Sequence, residues 1–360
     1  MSNAGKRDPV LWRKTLLLVV IAGIVVVLIL EGGARLWVWR ESTKPARAVA
    51  PPLKAHDMSE LDKVHAPDPY IWWKMAPNLK DRRIAGRCWN RDVAFTLSTN
   101  DQGLRNPPLA PAGARTRVLA LGDSTTFGLG VDNDQTWPAQ LQMLLDAEAG
   151  AERFEVLNAG VCGYSAFQGL RYLDKYGLDF APAVVVACFG HNDFDTWNMQ
   201  TDIEKAIEEA EREQANAEKS FSDFFVLARR ALRQAGETLH AAAGQKRPRL
   251  TPEEFHDTLV EMKKLCDCEG IPILFVLWPY EWQVAQRSPD PVQYQVILID
   301  VCKEINARLV NLYEAFVASS EPLYADPVHG NPTGCGVAAR AIAAEVGRAL
   351  ENAQAPQEGP

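Results

Sequence analysis

The chain has 360 residues, enough for one large domain or two small ones, and 47% of them are hydrophobic, enough for a core. The net charge of −8 is uneven, because the first 50 residues carry +5 and the rest of the chain carries −13. An acidic body excludes nucleic acid as the expected partner, since phosphate binding requires a basic face. A basic arm beside an apolar run instead suggests a membrane.

The amino-terminal region contains fifteen residues without a charge, 16–30. A membrane span needs about 20 apolar residues, so this run alone is short. Glu31 and Arg35 follow it and can pair on a helix because they are four residues apart. The pattern predicts a tail over 1–14 and an uncleaved transmembrane helix over 15–39.

A cleaved signal peptide is the competing interpretation of this region. The charged start and the apolar run fit it, but Gly32-Gly33-Ala34 is a poor cleavage site. Tryptophans stand near both ends of the run, as interfacial aromatic residues do, which favours the anchor. Lysine and arginine counts on its two sides are nearly equal and leave the orientation open.

The next two segments precede the main body of the chain. Residues 40–69 are rich in proline, alanine and charge, and this composition predicts a linker. Aromatic residues and alternation within 70–115, as in Val93-Ala-Phe-Thr-Leu97, predict a small β addition.

From residue 116 onward, short apolar runs alternate with helical patterns. Such alternation predicts a five-stranded parallel sheet with right-handed crossovers. The predicted strands lie at 118–121, 154–158, 183–189, 271–277 and 308–312, and the predicted helices at 137–147, 166–176, 202–245, 252–268, 291–306 and 335–352. The helical stretch 202–245 begins with an acidic, apolar-poor part that predicts a solvated face.

Polar residues follow several predicted strands. Ser124 comes after the first strand and Gly122, Gly163 after the second, and Asn192 after the third, while a late loop carries Asp326 and His329. The carboxyl ends of parallel strands share one edge, where ligands bind. Acyl transfer by a serine needs this set: a nucleophile, a histidine base, a carboxylate that orients it, and donors for the oxyanion.

Each of these residues also has a structural interpretation. Ser124 could simply cap a helix, Asp326 a turn, and Asn192 could satisfy loop backbone. A phosphate-binding loop after Gly122 is a weak alternative, because no Gly-Lys-Ser/Thr follows. The structural interpretation as a whole requires four coincidences in order along the chain, so the sequence favours catalysis.

The seven cysteines are odd in number and fit no zinc pattern, and Cys266-Asp-Cys268 is too closely spaced. Cys162, Cys188 and Cys302 lie in apolar contexts and are predicted to be small core residues. Neither a metal nor a cofactor is expected. One disulfide would fit an exported body, but the sequence names no pair.

Over residues 116–352 the chain resembles the SGNH (GDSL-type) hydrolases. The matching blocks are Gly122-Asp-Ser124, Asn158-Ala-Gly-Val-Cys-Gly163, Gly190-His-Asn192-Asp and Asp326-Pro-Val-His329. The resemblance implies a flavodoxin-like three-layer α/β/α sandwich over 116–355. The chain departs from the minimal family pattern at 194–250, where we expect a long helical insertion.

The resemblance also implies the roles of the site residues. Ser124 would be the nucleophile, His329 the base and Asp326 its orienting carboxylate. The oxyanion would be bound by the backbone N–H groups of Ser124 and Gly163 and by the side-chain amide of Asn192. Gly160 is a second candidate, ranked below Gly163.

The upstream Asn100-Asp-Gln-Gly-Leu-Arg105 and the amino-terminal anchor look like those of bacterial, membrane-tethered members of the family. That resemblance implies a cytoplasmic tail over 1–14 and a catalytic body in the periplasm or outside the cell.

Three functions follow from the sequence. The first is an esterase acting through an acyl-enzyme on acyl or acetyl esters of a glycan or lipid at the cell envelope. The second is a polysaccharide O-acetyltransferase with the same triad. The third, a non-catalytic glycan-binding protein, fits poorly with an intact set of Ser124, Asn192, Asp326 and His329.

Overall fold

The structure is a computed structural model that describes residues 56–354, except 58, 90, 151, 197–199 and 218–245. Within the described residues, 56–203 and 246–354 belong to one compact unit, which contains every described strand. The predicted transmembrane helix, 15–39, lies outside the described residues.

Ten strands and ten α-helices are present in the described residues. The strands are β1 His56–Asp57, β2 His65–Asp68, β3 Trp72–Met75, β4 Arg82–Cys88, β5 Arg91–Leu97, β6 Thr116–Gly122, β7 Phe154–Gly160, β8 Val184–Cys188, β9 Ile273–Leu277 and β10 Arg308–Asn311. The helices are α1 Ser59–Asp62, α2 Ser124–Phe127, α3 Trp137–Ala149, α4 Ala166–Tyr172, α5 Asp202–Ala217, α6 Pro252–Cys268, α7 Glu281–Ala285, α8 Gln293–Glu304, α9 Tyr313–Val317 and α10 Pro332–Gln354. No helix among these described residues is both long and apolar enough to span a membrane.

The central sheet has five parallel strands in the order β10-β9-β8-β6-β7. The predicted α/β fold with a five-stranded parallel sheet is therefore confirmed. When the five strands are numbered in chain order, with β6 as strand 1, and read from the β7 edge, the order is 2-1-3-4-5, as in flavodoxin-like folds. Strands β8 and β9 are buried along their whole length, as expected of apolar runs covered on both faces.

Helices cover both faces of this sheet. On one face, α3 and α10 pack together and share a core with alternate strand residues such as Val118, Val186 and Val276. On the other face, α6 packs against both α4 and α8. The sequence sets where these helices begin: Thr136, Ser165 and Thr251 cap α3, α4 and α6 through their hydroxyl groups.

The segment before the sheet contains more structure than the sequence suggested. Strands β1, β4 and β5 form an antiparallel sheet, and β2 pairs with β3. Residues 56–69, part of the linker predicted over 40–69, hold β1, α1 and β2. The reason is apolar burial, because Leu61 and Val64 are fully buried and outweigh the polar composition of this stretch.

Arg105 joins this segment to the parallel sheet. Its buried guanidinium donates hydrogen bonds to the carbonyl oxygens of Phe127, Gly128 and Val131, a segment that follows Ser124. It also donates to the carbonyl oxygen of Thr96 in β5. The carbonyls of Phe127 and Gly128 lie at the end of the short helix α2, where backbone acceptors lack partners. One arginine therefore satisfies acceptors from both parts of the fold.

Two predicted helices end differently in the structure. The helix predicted over 166–176 ends at Tyr172 and continues as a π turn, Leu173–Gly177. Of the helical stretch predicted over 202–245, the structure describes Asp202–Ala217, and residues 218–245 lie outside the described chain.

Candidate active site

Ser124 stands where strand β6 meets helix α2. Gly122 ends the strand, and a Cβ there would lie 2.7 Å from the carbonyl oxygen of Cys188, so only glycine allows this approach. The carboxylate of Asp123 accepts the N–H of Thr125 at 2.8 Å and caps α2. The alternative in which Ser124 caps the helix is therefore wrong, since Asp123 occupies the cap position.

The hydroxyl of Ser124 contacts a histidine from the last loop. Its Oγ lies 2.7 Å from His329 Nε2, and His329 Nδ1 lies 2.6 Å from Asp326 Oδ2. The other oxygen of Asp326 accepts the N–H groups of Val328 and His329, each at 2.8 Å. These three side chains, Ser124, His329 and Asp326, form a triad joined by hydrogen bonds across 205 residues of sequence.

The electrostatics of the triad follow from burial and pairing. Asp326 is fully buried, which opposes its charge, but its contact with His329 outweighs burial and holds the carboxyl pKa well below its usual value. Burial likewise opposes protonation of His329, yet the neighbouring carboxylate prevails and raises the imidazole pKa above 6.5. The neutral imidazole, which alone can accept a proton, therefore predominates only at a pH above that raised pKa.

The second loop of the site turns at Gly163, which has a φ of +78°. This left-handed conformation favours glycine over any other residue. The loop carbonyls of Gly163 and Tyr164 accept hydrogen bonds from Arg249 and from the Asn192 amide, the latter at 2.9 Å. In the described part of the chain, the N–H groups of Ser124 and Gly163 donate to no protein acceptor. The N–H of Gly160, the second candidate, is directed to Asn158 Oδ1 at 3.1 Å.

Asp193 connects the loop of Asn192 to the loop of Gly163. One carboxylate oxygen accepts the N–H of Gly190 at 3.0 Å, and the other accepts the N–H of Ala166 at 2.7 Å. The side chain is fully buried, and burial raises its pKa to about 7. This bridge fixes Asn192 beside the turn at Gly163, so the structure brings these predicted residues to the same edge of the sheet.

His191 also reaches the site. Its ring packs edge-on against Tyr280, with centroids 4.8 Å apart, and its Nδ1 lies 3.8 Å from Asp123 Oδ2. Neither ring nitrogen has a hydrogen-bond partner within the described residues, and burial lowers the imidazole pKa. The adjoining cavity measures about 10 Å³, roughly the room of one water molecule.

Two further residues near the triad were not predicted from the sequence. Cys88, at the end of β4, places its Sγ 3.9 Å from His329 Nδ1. Arg249 supports the Gly163 loop from the far end of the predicted insertion. Neither carried a sequence signal, because each acts on a partner distant in sequence. The expectation that Cys162, Cys188 and Cys302 are core residues is confirmed by their burial.

Two segments that contact the triad or its loop, the β4–β5 hairpin and α7, carry exposed aromatic and charged side chains, and we refer to these side chains as the rim. Trp282 is 40% exposed and stacks on Tyr280, and the N–H of the intervening Glu281 donates to Pro327 O in the triad loop at 3.0 Å. Arg91 pairs with Glu281 at 2.7 Å, which joins the β4–β5 hairpin to α7. Trp89, 49% exposed, directly follows Cys88 in that hairpin.

One group of potential metal ligands occurs among the described residues. Ligand atoms of Cys88, Asp326 and His329 lie within 4.8 Å of one another. The 2.6 Å hydrogen bond between Asp326 and His329 occupies two of these atoms, and a shared metal would have to break it. We therefore regard the group as a hydrogen-bonded cluster. That the protein uses no metal stays a prediction.

A serine, a histidine and an aspartate joined in this order at the carboxyl edge of a parallel sheet define the class of α/β serine hydrolases. Residues 120–337 match the family described as GDSL-like Lipase/Acylhydrolase. The chain belongs to this family, and the predicted enzyme class, a hydrolase acting on ester bonds, agrees with it.

Individual proteins are similar to parts of the chain. Esterase TesA of Pseudomonas aeruginosa is 36% identical over 85 residues, which are 24% of this chain. The match spans only 41% of that curated relative. A lipase/acylhydrolase from Enterococcus faecalis shares 22% identity and covers 65% of this chain and 96% of its own, with a TM-score of 0.42. The acetyl xylan esterase AlAXEase shares 16% identity over 64% of this chain and 99% of its own, with a TM-score of 0.43.

Proposed function

We propose that the protein is a serine esterase of the SGNH type that acts through an acyl-enzyme. The observation that carries the proposal is the continuous hydrogen-bonded chain from Ser124 Oγ to His329 Nε2 and from His329 Nδ1 to Asp326. Such a chain activates a hydroxyl that is otherwise a weak nucleophile at neutral pH.

In the proposed reaction, Ser124 Oγ attacks the ester carbonyl carbon while His329 Nε2 takes the hydroxyl proton. The tetrahedral intermediate collapses as the bond to the alcohol breaks, and His329 returns the proton to the departing alkoxide. Water then attacks the acyl-enzyme and gives a proton to His329. The second tetrahedral intermediate collapses as the bond from the acyl carbon to Ser124 Oγ breaks, His329 returns the proton to Oγ, and the acid is released. Asp326 holds the imidazole tautomer and stabilises the imidazolium in both halves of the cycle.

The oxyanion of each tetrahedral intermediate would accept the N–H groups of Ser124 and Gly163 and the amide of Asn192. Two observations support this assignment. The first two N–H groups have no protein acceptor in the described chain, and Asn192 uses only one amide hydrogen on Tyr164 O. Gly160 is less suitable because Asn158 takes its N–H.

The rim favours a polar substrate, an acetyl or short acyl ester of a glycan. Exposed aromatic rings at Trp282 and Trp89 offer flat apolar faces, and the Arg91–Glu281 pair offers hydrogen bonds beside them. This mixture suits the faces and hydroxyl groups of a sugar, whereas a long acyl chain would favour a continuous apolar groove.

The same rim supports a second candidate, O-acetyl transfer to a polysaccharide. Transfer differs from hydrolysis only in whether a sugar hydroxyl or water attacks the acyl-enzyme, and an acceptor would need a platform near the triad. Incubation with an acetyl ester donor and an acetyl-free oligosaccharide separates the two. Acetylated oligosaccharide would indicate a transferase, and acetate alone an esterase.

We further propose that residues 15–39 form an uncleaved anchor in the inner membrane and that the catalytic body is periplasmic or otherwise extracytoplasmic. The support is the apolar run at 16–30 followed by the Glu31 and Arg35 pair. Amino-terminal sequencing and protease treatment of spheroplasts test this proposal. A mature protein beginning near Leu36 would contradict the anchor, and a protected body would contradict the orientation.

Labelling with a fluorophosphonate, followed by a panel of acetyl, short-acyl and long-acyl esters, tests the esterase. We expect labelling at Ser124 and hydrolysis that is greatest for short acyl groups on sugars. Labelling that persists unchanged in a Ser124→Ala variant would refute the nucleophile, and a preference for long acyl esters would refute the substrate class.

A further inference from the structure

Cys88 contacts the triad from outside the region that matches the family, which begins at residue 120. It is the last residue of β4 and is fully buried. Its Sγ lies 3.9 Å from His329 Nδ1 and within 4.8 Å of a carboxylate oxygen of Asp326. No step of the proposed reaction uses this side chain, so its position next to the triad needs a separate explanation.

The donors and acceptors around Cys88 determine which group can accept a hydrogen bond from its thiol. When His329 Nε2 accepts the hydroxyl of Ser124, Nδ1 must carry the other proton and donate it to Asp326. The thiol therefore cannot donate to Nδ1. The carboxylate of Asp326 is an acceptor only, and an ionised carboxylate has about four acceptor positions. Within the cluster, the carboxylate of Asp326 is therefore the group able to accept the S–H of Cys88.

The thiol remains protonated in this position. Burial raises the pKa of Cys88, and the adjacent charge of Asp326 raises it further. The same contact helps to lower the pKa of Asp326, after the larger effect of His329. Cys88 consequently behaves as a neutral donor over the whole range in which the triad can work.

We propose that Cys88 is a positioning residue, whose S–H donates a hydrogen bond to the Asp326 carboxylate and fixes that carboxylate against His329. The other donors to Asp326 come from its own loop, Val328 and His329. Cys88 instead holds the carboxylate from a separate hairpin. The inference rests on the proposed esterase function, and it makes the β4–β5 hairpin a part of the active site.

Three variants of the full chain test the proposal. Cys88→Ala removes the donor, Cys88→Ser replaces it by a hydroxyl, and Cys302→Ala removes a thiol of equal size that is also buried but lies on α8, away from the triad. We expect Cys88→Ala to lower kcat about 10-fold, the effect of one hydrogen bond, with little change in KM. Cys88→Ser should recover most of this loss, and Cys302→Ala should leave kcat unchanged.

Two further readouts separate positioning from simple packing. Without the thiol, more of the carboxylate charge acts on His329, so the acid limb of kcat/KM should move to higher pH in Cys88→Ala and return in Cys88→Ser. The proton NMR resonance of His329 Nδ1–H should move downfield in Cys88→Ala and stay in place in Cys302→Ala. An unmoved resonance, or equal kcat losses in Cys88→Ala and Cys302→Ala, would overturn the inference.

The NMR measurement needs no substrate, so it tests the role of Cys88 even if the parent protein hydrolyses no ester. A parent without esterase activity would contradict the proposed function, whereas an active parent with an unmoved resonance in Cys88→Ala would contradict the inference alone.

Discussion

The guanidinium of Arg249 donates hydrogen bonds both to the carbonyl oxygen of Gly163 and to the carboxylate of Asp202, the latter at 2.6 Å. Backbone pairing strengthens this contact, because the N–H of Asp202 donates to the carbonyl of Arg249 at 2.7 Å. The two residues stand at the two ends of the segment 203–248. The chain thus enters and leaves this segment at a buried ion pair that also supports the Gly163 loop.

Arg249→Met should destabilise the protein by about 3–5 kcal/mol, because it leaves the buried Asp202 carboxylate without its charged partner. The free energy of unfolding of Arg249→Lys should lie between those of the parent and Arg249→Met, since one ammonium group cannot reproduce the geometry of a guanidinium. Urea unfolding measures the difference. Arg348→Met removes an exposed pair with Glu345 and is the matched control, for which little change is expected. A loss in Arg249→Met no larger than the control would contradict the role of the pair.

Ser124→Ala and His329→Ala should each reduce kcat by several orders of magnitude, and the double variant should lose little more than either one. The reason is that a nucleophile and its base act as a unit, so the remaining residue contributes little to kcat once the other has been removed. Steady-state kinetics of the three variants on one acetyl ester, with circular dichroism to show that they fold, provide the measurement. Additive losses would show that the two side chains act independently.

Asn192→Ala should lower kcat by about 10²–10³, the usual effect of one oxyanion donor. KM should change little, because the donor acts mainly in the transition state. Asn352, exposed on α10, provides a control substitution to alanine that should leave both constants unchanged. A large rise in KM at unchanged kcat would instead make Asn192 a ground-state ligand of the substrate.

The parts of the site that could be predicted from sequence are those where one short segment holds both the residue and its geometry. Ser124 follows its strand directly, and Asp326 reaches His329 within one loop. Cys88 and Arg249 could not be predicted, because their contacts depend on how distant segments pack. The strands and helix within 56–69 were missed for a related reason, since the burial of Leu61 and Val64 outweighs local composition.

Activity should rise with pH along an acid limb whose midpoint lies above 6.5. His329 must be neutral to accept a proton, and its pKa is raised because Asp326 outweighs burial, with Asp123 acting in the same direction. The groups near it are Asp326, the Cys88 thiol, Asp123 and His191, whose own pKa is lowered by burial. Asp326→Asn should shift the limb to lower pH and reduce kcat by about 10⁴. A limb below 6.5 in the parent would show that burial dominates at His329.

Trp282→Ala should raise KM for an acetylated oligosaccharide while leaving hydrolysis of a small aryl acetate nearly unchanged. The expectation follows because the indole of Trp282 is 40% exposed, and the residue before it, Glu281, donates its backbone N–H to the triad loop. Initial rates on the two esters give the comparison, and Val296→Ala, another exposed residue, is the control. Equal effects on both esters would remove the argument for a sugar platform.

The hydrogen bonds of Arg105 have a consequence for how the protein unfolds. Its guanidinium donates to carbonyl oxygens of β5 and of the segment after α2. If β5 separated from that segment, buried carbonyl oxygens would lose their hydrogen-bond donor. The amino-terminal hairpin and the hydrolase sheet should therefore melt as one cooperative block, and amide hydrogens in β5 and β6 should exchange with solvent at a similar free energy.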